Sequence, residues 1–176
     1  MEQSVIKVQG KIPRDVGIAV SGGIDSMAVL DFLRRNHNVT VYNFDHGTLF
    51  GEYVTDYIVR YCKENNLPYK IGWLTEKRPR YMSKEEHWRN ERYRWLDSLM
   101  LDIVTAHHLD DCVETFIWSS LHGTPKVIPM IRNNVLRPFL TTRKDEFKSW
   151  CLRHDVPWIE DKSNQDTKYM RNYVRN

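Results

Sequence analysis

Cysteine is scarce in this chain and poorly placed for joint chemistry. Only Cys62, Cys112 and Cys151 occur in 176 residues, far apart, odd in number and without a CxxC pair. That spacing argues against a disulfide framework, a zinc knuckle and a multi-cysteine iron–sulfur site. It fits buried thiols in a reducing cytoplasm, the location expected here. Long apolar runs are lacking too. No stretch approaches membrane-spanning length, and residues 1–14 have no signal-peptide core, so no membrane partner is expected. Charge is nearly balanced: the net +3 permits a nucleic-acid partner without requiring one. The GxxxxGK(S/T) pattern of P-loop kinases does not occur, nor do repeats or linker-like stretches. What remains is 41% hydrophobic and 28% charged, which predicts one folded domain over 1–176 with a full core.

Strand and helix patterns alternate along the chain. Residues 18–20 read as a strand core and 25–35 as a helix, with Met27, Leu30 and Leu33 three apart. A second strand is predicted over 39–44 and a helix over 52–64, where Tyr53, Tyr57 and Tyr61 run beside Val54 and Ile58. A third strand follows at 69–74. The helix over 83–100 opens on the capping-box pattern Ser83-x-x-Glu86. A fourth strand is predicted at 102–106, then a helix over 108–121. Its apolar stripe of Leu109, Cys112 or Val113, Phe116 and Ile117 is expected to face the core. Beyond Gly123 the pattern is irregular, with a fifth strand at 135–136 and a last helix over 142–154. The alternation predicts an α/β fold: a doubly wound, parallel, five-stranded sheet in the order 3-2-1-4-5. Ligands in such sheets bind beyond the carboxyl ends of the strands, where the strand order reverses. Here that is between strands one and four.

Ser21-Gly22-Gly23-Ile24-Asp25-Ser26 sits at the end of strand one. A strand, a glycine turn and a helix start bring backbone N–H groups and the positive helix end to one point, which suits phosphate. Adjacent glycines let the main chain approach an anion closely. An aspartate inside an anion site implies an intervening cation, most simply Mg²⁺.

The end of strand four carries His107-His108-Leu109-Asp110-Asp111-Cys112-Val113-Glu114-Thr115. His107, Asp110 or Asp111, and Glu114 share one side of a helix, opposite Phe116 and Ile117. Adjacent aspartates near a helix start also cap it. Capping does not account for Glu114 or His107, which together with the aspartates suit a metal or an amine. Along the 83–100 helix, Glu86, Arg89, Arg92 and Tyr93 are spaced as surface ion pairs usually are. Basic clusters occur at Lys77, Arg78 and Arg80, and at Lys168, Arg171 and Arg175.

SGGxDS resembles the PP-loop of the ATP pyrophosphatase superfamily, which splits ATP between its α- and β-phosphates. Further blocks follow in order: Asp45-His46-Gly47, Glu86-x-x-Arg89-x-x-Arg92-Tyr93, Ala106-His107-His108-x-Asp110-Asp111-x-x-Glu114-Thr115 and Arg137-Pro138-Phe139. Glu160-Asp161-x-Ser163-Asn164 and Arg171-Asn172-x-x-Arg175 complete the series. Together they are similar to the tRNA(Ile)-lysidine synthetase family, and the likeness runs from about Val16 to Arg175. It implies an adenine nucleotide alpha hydrolase-like fold and a two-step reaction. The wobble cytidine of a CAU-anticodon tRNA(Ile) is adenylated by ATP with loss of pyrophosphate, and free lysine then displaces AMP.

The resemblance implies site roles. Ser21, Gly22, Gly23, Ile24, Asp25, Ser26 and His107 would bind ATP, with Asp25 associated with Mg²⁺ or activating the amine. Asp111 and Glu114 would bind the amines of lysine, and Arg89 its carboxylate or a phosphate. Asp25, Arg89, Asp111 and Glu114 form the expected catalytic set, and Arg171 and Arg175 contact tRNA. The family usually carries further tRNA-gripping domains, which are expected to be absent here, so a homodimer would supply the surface. Cys112 and Trp88 depart from residues common in the family, Gln and Ala, and Pro125 falls in a stretch usually rich in glycine. The alternatives are a PP-loop tRNA sulfur transferase, which generally needs paired cysteines or a cluster, a non-catalytic nucleotide- or RNA-binding module, and an ATP-dependent synthetase of a small molecule.

Overall fold

The computed structural model describes residues 5–160. Its elements are β1 (Asp15–Ala19), α1 (Ile24–Arg34), β2 (Asn38–Asp45), α2 (Leu49–Glu64), β3 (Tyr69–Trp73) and α3 (Lys84–Asp97), followed by β4 (Ile103–Val104), α4 (Leu109–Leu121), β5 (Ile131–Arg132), β6 (Val135–Leu136) and α5 (Lys144–Arg153). The sheet order is β3-β2-β1-β4-β6-β5. All neighbours are parallel except β5 and β6.

The fold class matches the expectation, but the strand count differs: six strands rather than five. Val135–Leu136 occupies the fifth place, and Ile131–Arg132 adds an antiparallel edge strand. The hairpin turns on Asn133-Asn134, with Asn133 at φ 52°. Asn tolerates this left-handed conformation, and two-residue hairpin loops require it. Each strand is only two residues long, too short to show alternation.

One face of the sheet packs Val16, Ile18, Val20, Val39, Val41 and Val104 against α1, α2 and α5. The other packs Tyr42, Ile103 and Val135 against Tyr93 and Leu96 of α3. Gly17 permits that second layer, since a Cβ there would lie 2.3 Å from Ile103 Cδ1 and 2.7 Å from the Tyr42 ring. The crossover changes face after β3, so β1 and β4 diverge into helices at their carboxyl ends, and the switch point lies between them.

The apolar stripe of α4 does not reach this core. Val113, Phe116 and Ile117 are 49%, 49% and 38% exposed, and the one buried residue of α4 is Glu114. Periodicity correctly gives a two-sided helix. It does not say which side faces inward, and here the carboxylate side does.

Candidate functional site

The glycine turn joins β1 to α1 with little local freedom. Gly22 has φ +77°, and a Cβ there would sit 3.0 Å from Val54 Cγ1. Its carbonyl accepts the Ile159 N–H at 2.9 Å. Ser26 Oγ donates to the Gly23 carbonyl at 2.9 Å and accepts from the Ser21 N–H at 3.2 Å. The Ser21 hydroxyl lies 3.2 Å from the same oxygen. The serines therefore tie the turn to itself. Gly23 is the N-cap of α1 and supplies no side-chain acceptor, which leaves first-turn N–H groups for a ligand.

Opposite the turn, the end of β2 is held in place by buried polar contacts. Asn43 Nδ2 donates to the Val20 carbonyl at 2.8 Å, and Thr55 Oγ1 donates to Asn43 Oδ1 at 2.9 Å. Asp45 accepts the Gly47 N–H at 2.8 Å. His46 stacks on Trp88 with centroids 4.8 Å apart, and Lys84 Nζ lies 4.4 Å from the Trp88 ring centroid.

Asn43, His46, Thr55 and Trp88 line a cleft of about 510 Å³. Its walls include Ser21, Gly23, Asp25 and Ser26 from the turn, and His107 and Asp111 from beyond β4. Trp88, Arg92 and Tyr93 of α3 contribute another wall. The volume lies within the range of ligand sites, about 300–1,000 Å³.

The sequence-predicted residues divide in space. Asp25 and Asp111 meet through His108, whose Nε2 lies 3.5 Å from Asp25 Oδ2 and 3.5 Å from Asp111 Oδ2. Burial of the His108 ring opposes its charge, but the Asp25, Asp111 and Asp110 carboxylates outweigh burial and raise its pKa. Asp111 also accepts the His108 N–H at 3.0 Å, capping α4 while it lines the cleft. Asp110 instead faces α5, accepting the Lys144 N–H at 3.0 Å. Glu114 is buried one turn beyond Asp111. Arg89 is exposed and lies with its Cζ 5.1 Å from the Tyr93 ring centroid, outside the cleft lining. Arg171 and Arg175 fall outside the described residues. Sequence reasoning gave no role to His108, Arg92 or Tyr93, although all lie within the quoted blocks. The start of α4 is what separates His108 from His107, and helix ends are the least legible part of a pattern.

Asp25 Oδ1 is buried without a hydrogen-bond partner. Among the described residues no group of three or more His, Cys, Asp or Glu side chains is arranged to hold a metal. Mg²⁺ usually takes one or two carboxylates and completes its shell with phosphate oxygens and waters. A lone orphaned carboxylate oxygen beside a phosphate cradle fits that mode.

Two imidazoles of the cleft are held neutral. Burial, then Arg137, Arg92, Arg89 and His108, lowers His107 to about 3. Burial and Arg92 lower His46 to about 4 against the opposing Asp45. A depressed folded-state pKa means that the unfolded chain takes up the proton first. The contribution of these two rings to stability is therefore flat above about pH 6.5 and falls as pH drops from there toward 4 and 3. We predict that urea midpoints measured from pH 7.5 to 4 decline less steeply for His107→Asn than for the wild type. Parallel declines would contradict this.

The PP-loop domain family model matches residues 1–176. The chain is 31% identical over 180 residues to a tRNA(Ile)-lysidine synthase of Staphylococcus aureus strain COL, covering 90% of this chain and 42% of the relative. It is also 31% identical over 175 residues to the tRNA(Ile)-lysidine synthase of Legionella pneumophila strain Paris, covering 90% and 40%. The chain thus spans less than half the length of these relatives. Among solved structures it is similar to an NH3-dependent NAD synthetase from Campylobacter jejuni, with TM-score 0.57 and 16% identity over 83% of this chain and 66% of that one. An NMN synthetase from Francisella tularensis gives TM-score 0.59 and 10% identity, covering 92% and 75%. Both likenesses are of fold.

Proposed function

The chain belongs to the PP-loop domain family, and from that premise we propose that it is an ATP-dependent tRNA-modifying ligase that joins lysine to the wobble cytidine of a CAU-anticodon tRNA(Ile). One observation carries this reading: the phosphate-type turn and the carboxylate-bearing start of α4 line a single cleft, with Asp25 and Asp111 bridged by His108. The relatives' names supply the reaction, and the cleft supplies its parts.

In the first step the cytidine carbonyl oxygen attacks the α-phosphorus of ATP. The bond to the β-phosphate breaks, and pyrophosphate leaves. The Gly22–Gly23 turn and the uncapped start of α1 hold the departing charge through backbone N–H groups. Mg²⁺, held by Asp25 and phosphate oxygens, would supply charge neutralisation there. In the second step the ε-amine of lysine attacks the activated ring carbon and AMP leaves with the oxygen. Asp111 and Glu114 offer carboxylates to the ammonium groups of lysine and a sink for the proton released. Neutral His107 faces the base or ribose without adding charge. The reading places the reaction in the cytoplasm.

Sulfur transfer is disfavoured by the state of the thiols. Burial raises Cys62 to about 11 and Cys151 to about 12, and burial and Asp111 raise Cys112 as well. A sulfur relay needs a thiolate.

The test is AMP release with ATP alone, with ATP and tRNA, and with ATP, tRNA and lysine. Lysine-dependent release is expected only in the last case; release independent of lysine would overturn the reading. Within it, Glu114→Gln is expected to raise the KM for lysine by roughly 10- to 100-fold, the loss of one charge-assisted contact. tRNA-dependent ATP–pyrophosphate exchange should persist in that variant. An unchanged KM would remove Glu114 from the lysine site.

A further inference from the structure

Four guanidinium groups surround one phenol ring. The Cζ atoms of Arg132, Arg89, Arg92 and Arg137 lie 4.4, 5.1, 5.6 and 5.9 Å from the Tyr93 ring centroid. They come from three places in the sequence: α3, the β5 edge strand and the end of β6. Arg137 is a fixed strut, 2% exposed, with Nη1 donating to the Pro129 carbonyl at 2.8 Å and Nη2 to Tyr93 Oη at 3.2 Å. Its Nε is buried without a partner.

No carboxylate of the described residues pairs with this cluster. Among the described residues, none of the four arginines makes an ion pair, while Arg34, Arg35 and Arg94 all do. A ring has two faces, and cation–π attraction is worth about 0.5–2 kcal/mol each. Tyr93 therefore cannot offset the mutual repulsion of four cations. A bound anion would supply the countercharge that the described residues do not. The positive field reaches the cleft, where Arg137, Arg92 and Arg89 help keep His107 uncharged.

We infer that this cluster is a binding site for the RNA phosphodiester backbone, with Arg132 as its outer contact. The inference rests on the proposed function, since it deepens how the same cleft receives its RNA. The geometry favours a backbone over a single small anion. Arg92 lines the cleft, whereas Arg89 and Arg132 are exposed, so the charge extends from the site to the surface. One carboxylate carries one charge and is satisfied by one bidentate guanidinium. The phosphates of ATP have the glycine turn on another wall. A nucleic-acid backbone brings one charge per nucleotide and meets successive arginines as it passes. In this arrangement the cluster fixes the register of the strand while the base enters the cleft, and the buried Arg137–Tyr93 pair keeps the outer arginines in place.

The test compares wild type, Arg132→Gln and Arg132→Lys in binding an anticodon stem-loop RNA across a salt series, read by fluorescence anisotropy. Arg132 is exposed on an edge strand, and thermal melts of the three proteins check that the fold is kept. Arg132→Gln is expected to weaken binding about fivefold or more at low salt, to flatten the log K against log salt slope by roughly one, and to leave the lysine KM unchanged. Arg132→Lys should keep the wild-type slope. An unchanged slope in Arg132→Gln overturns the inference, and so does a raised lysine KM with RNA affinity intact. Wild-type protein that shows no salt-dependent RNA binding removes the functional reading itself, and this inference with it.

Discussion

Asp25→Asn is expected to slow lysine-dependent AMP release by roughly 100- to 10,000-fold with the fold intact. The substitution keeps the shape and removes the charge. Asp25 is the acidic residue of the first turn of α1, beside the uncapped glycine turn, with Oδ1 buried and unpartnered. A carboxylate left in that state inside a phosphate cradle has no structural use that an amide could not serve. Its interaction with the helix end is worth only about 0.3–1 kcal/mol. Its partner His108 keeps Asp111 as a second carboxylate at 3.5 Å, so the ring does not lose its anchor. Thermal melts should therefore shift little while single-turnover AMP formation collapses. A rate within threefold of wild type would show that the charge of Asp25 plays no part in the chemistry.

The second large effect separates two adjacent glycines. Gly22→Val is expected to destabilise the protein by about 2–3 kcal/mol and to abolish ATP use. An L-residue pays roughly 1–2 kcal/mol in the left-handed region, and β-branching adds to this. The space is also taken, since the new Cβ lies 3.0 Å from Val54 Cγ1. Gly23→Ala should behave differently. Its backbone, at φ −76°, suits any L-residue, and the nearest atom to a new Cβ is Ser21 Oγ at 3.8 Å. Stability should change by less than about 0.5 kcal/mol, or rise slightly through loss of unfolded-state freedom. The methyl would nevertheless stand where the main chain meets the phosphates, so ATP affinity should fall by about tenfold or more. Denaturant unfolding and ATP titration of both variants distinguish the cases. Equal losses in both variants would mean that the turn is only a structural link.

The fold was legible because β1, β2 and β3 are short stretches with β-branched or aromatic residues separated by helices of the right length, and Met27, Leu30 and Leu33 of α1 are buried as their spacing implies. Of the β5–β6 hairpin only Val135–Leu136 was legible as a strand; the two residues of β5 carry no periodicity, and only Asn133-Asn134 marked the turn. The α4 stripe misled because amphipathicity names two faces without naming the inner one. In the site, the turn and the start of α4 announced themselves by residue types that packing does not explain. The arginine cluster did not. Arg132 and Arg137 are 43 and 48 positions beyond Arg89, and only the sheet brings them to the same ring. His108 was hidden for another reason: a one-residue shift in the start of α4 decides which of two neighbouring histidines meets Asp25.

The central claim is that this cleft makes lysidine. Incubating the protein with a CAU-anticodon tRNA(Ile), ATP and lysine, then analysing the tRNA nucleosides by mass spectrometry, tests it directly. The account predicts a cytidine-derived nucleoside heavier by one lysine less one water, dependent on both ATP and lysine. Intact cytidine at the wobble position, with ATP consumed or not, would contradict it.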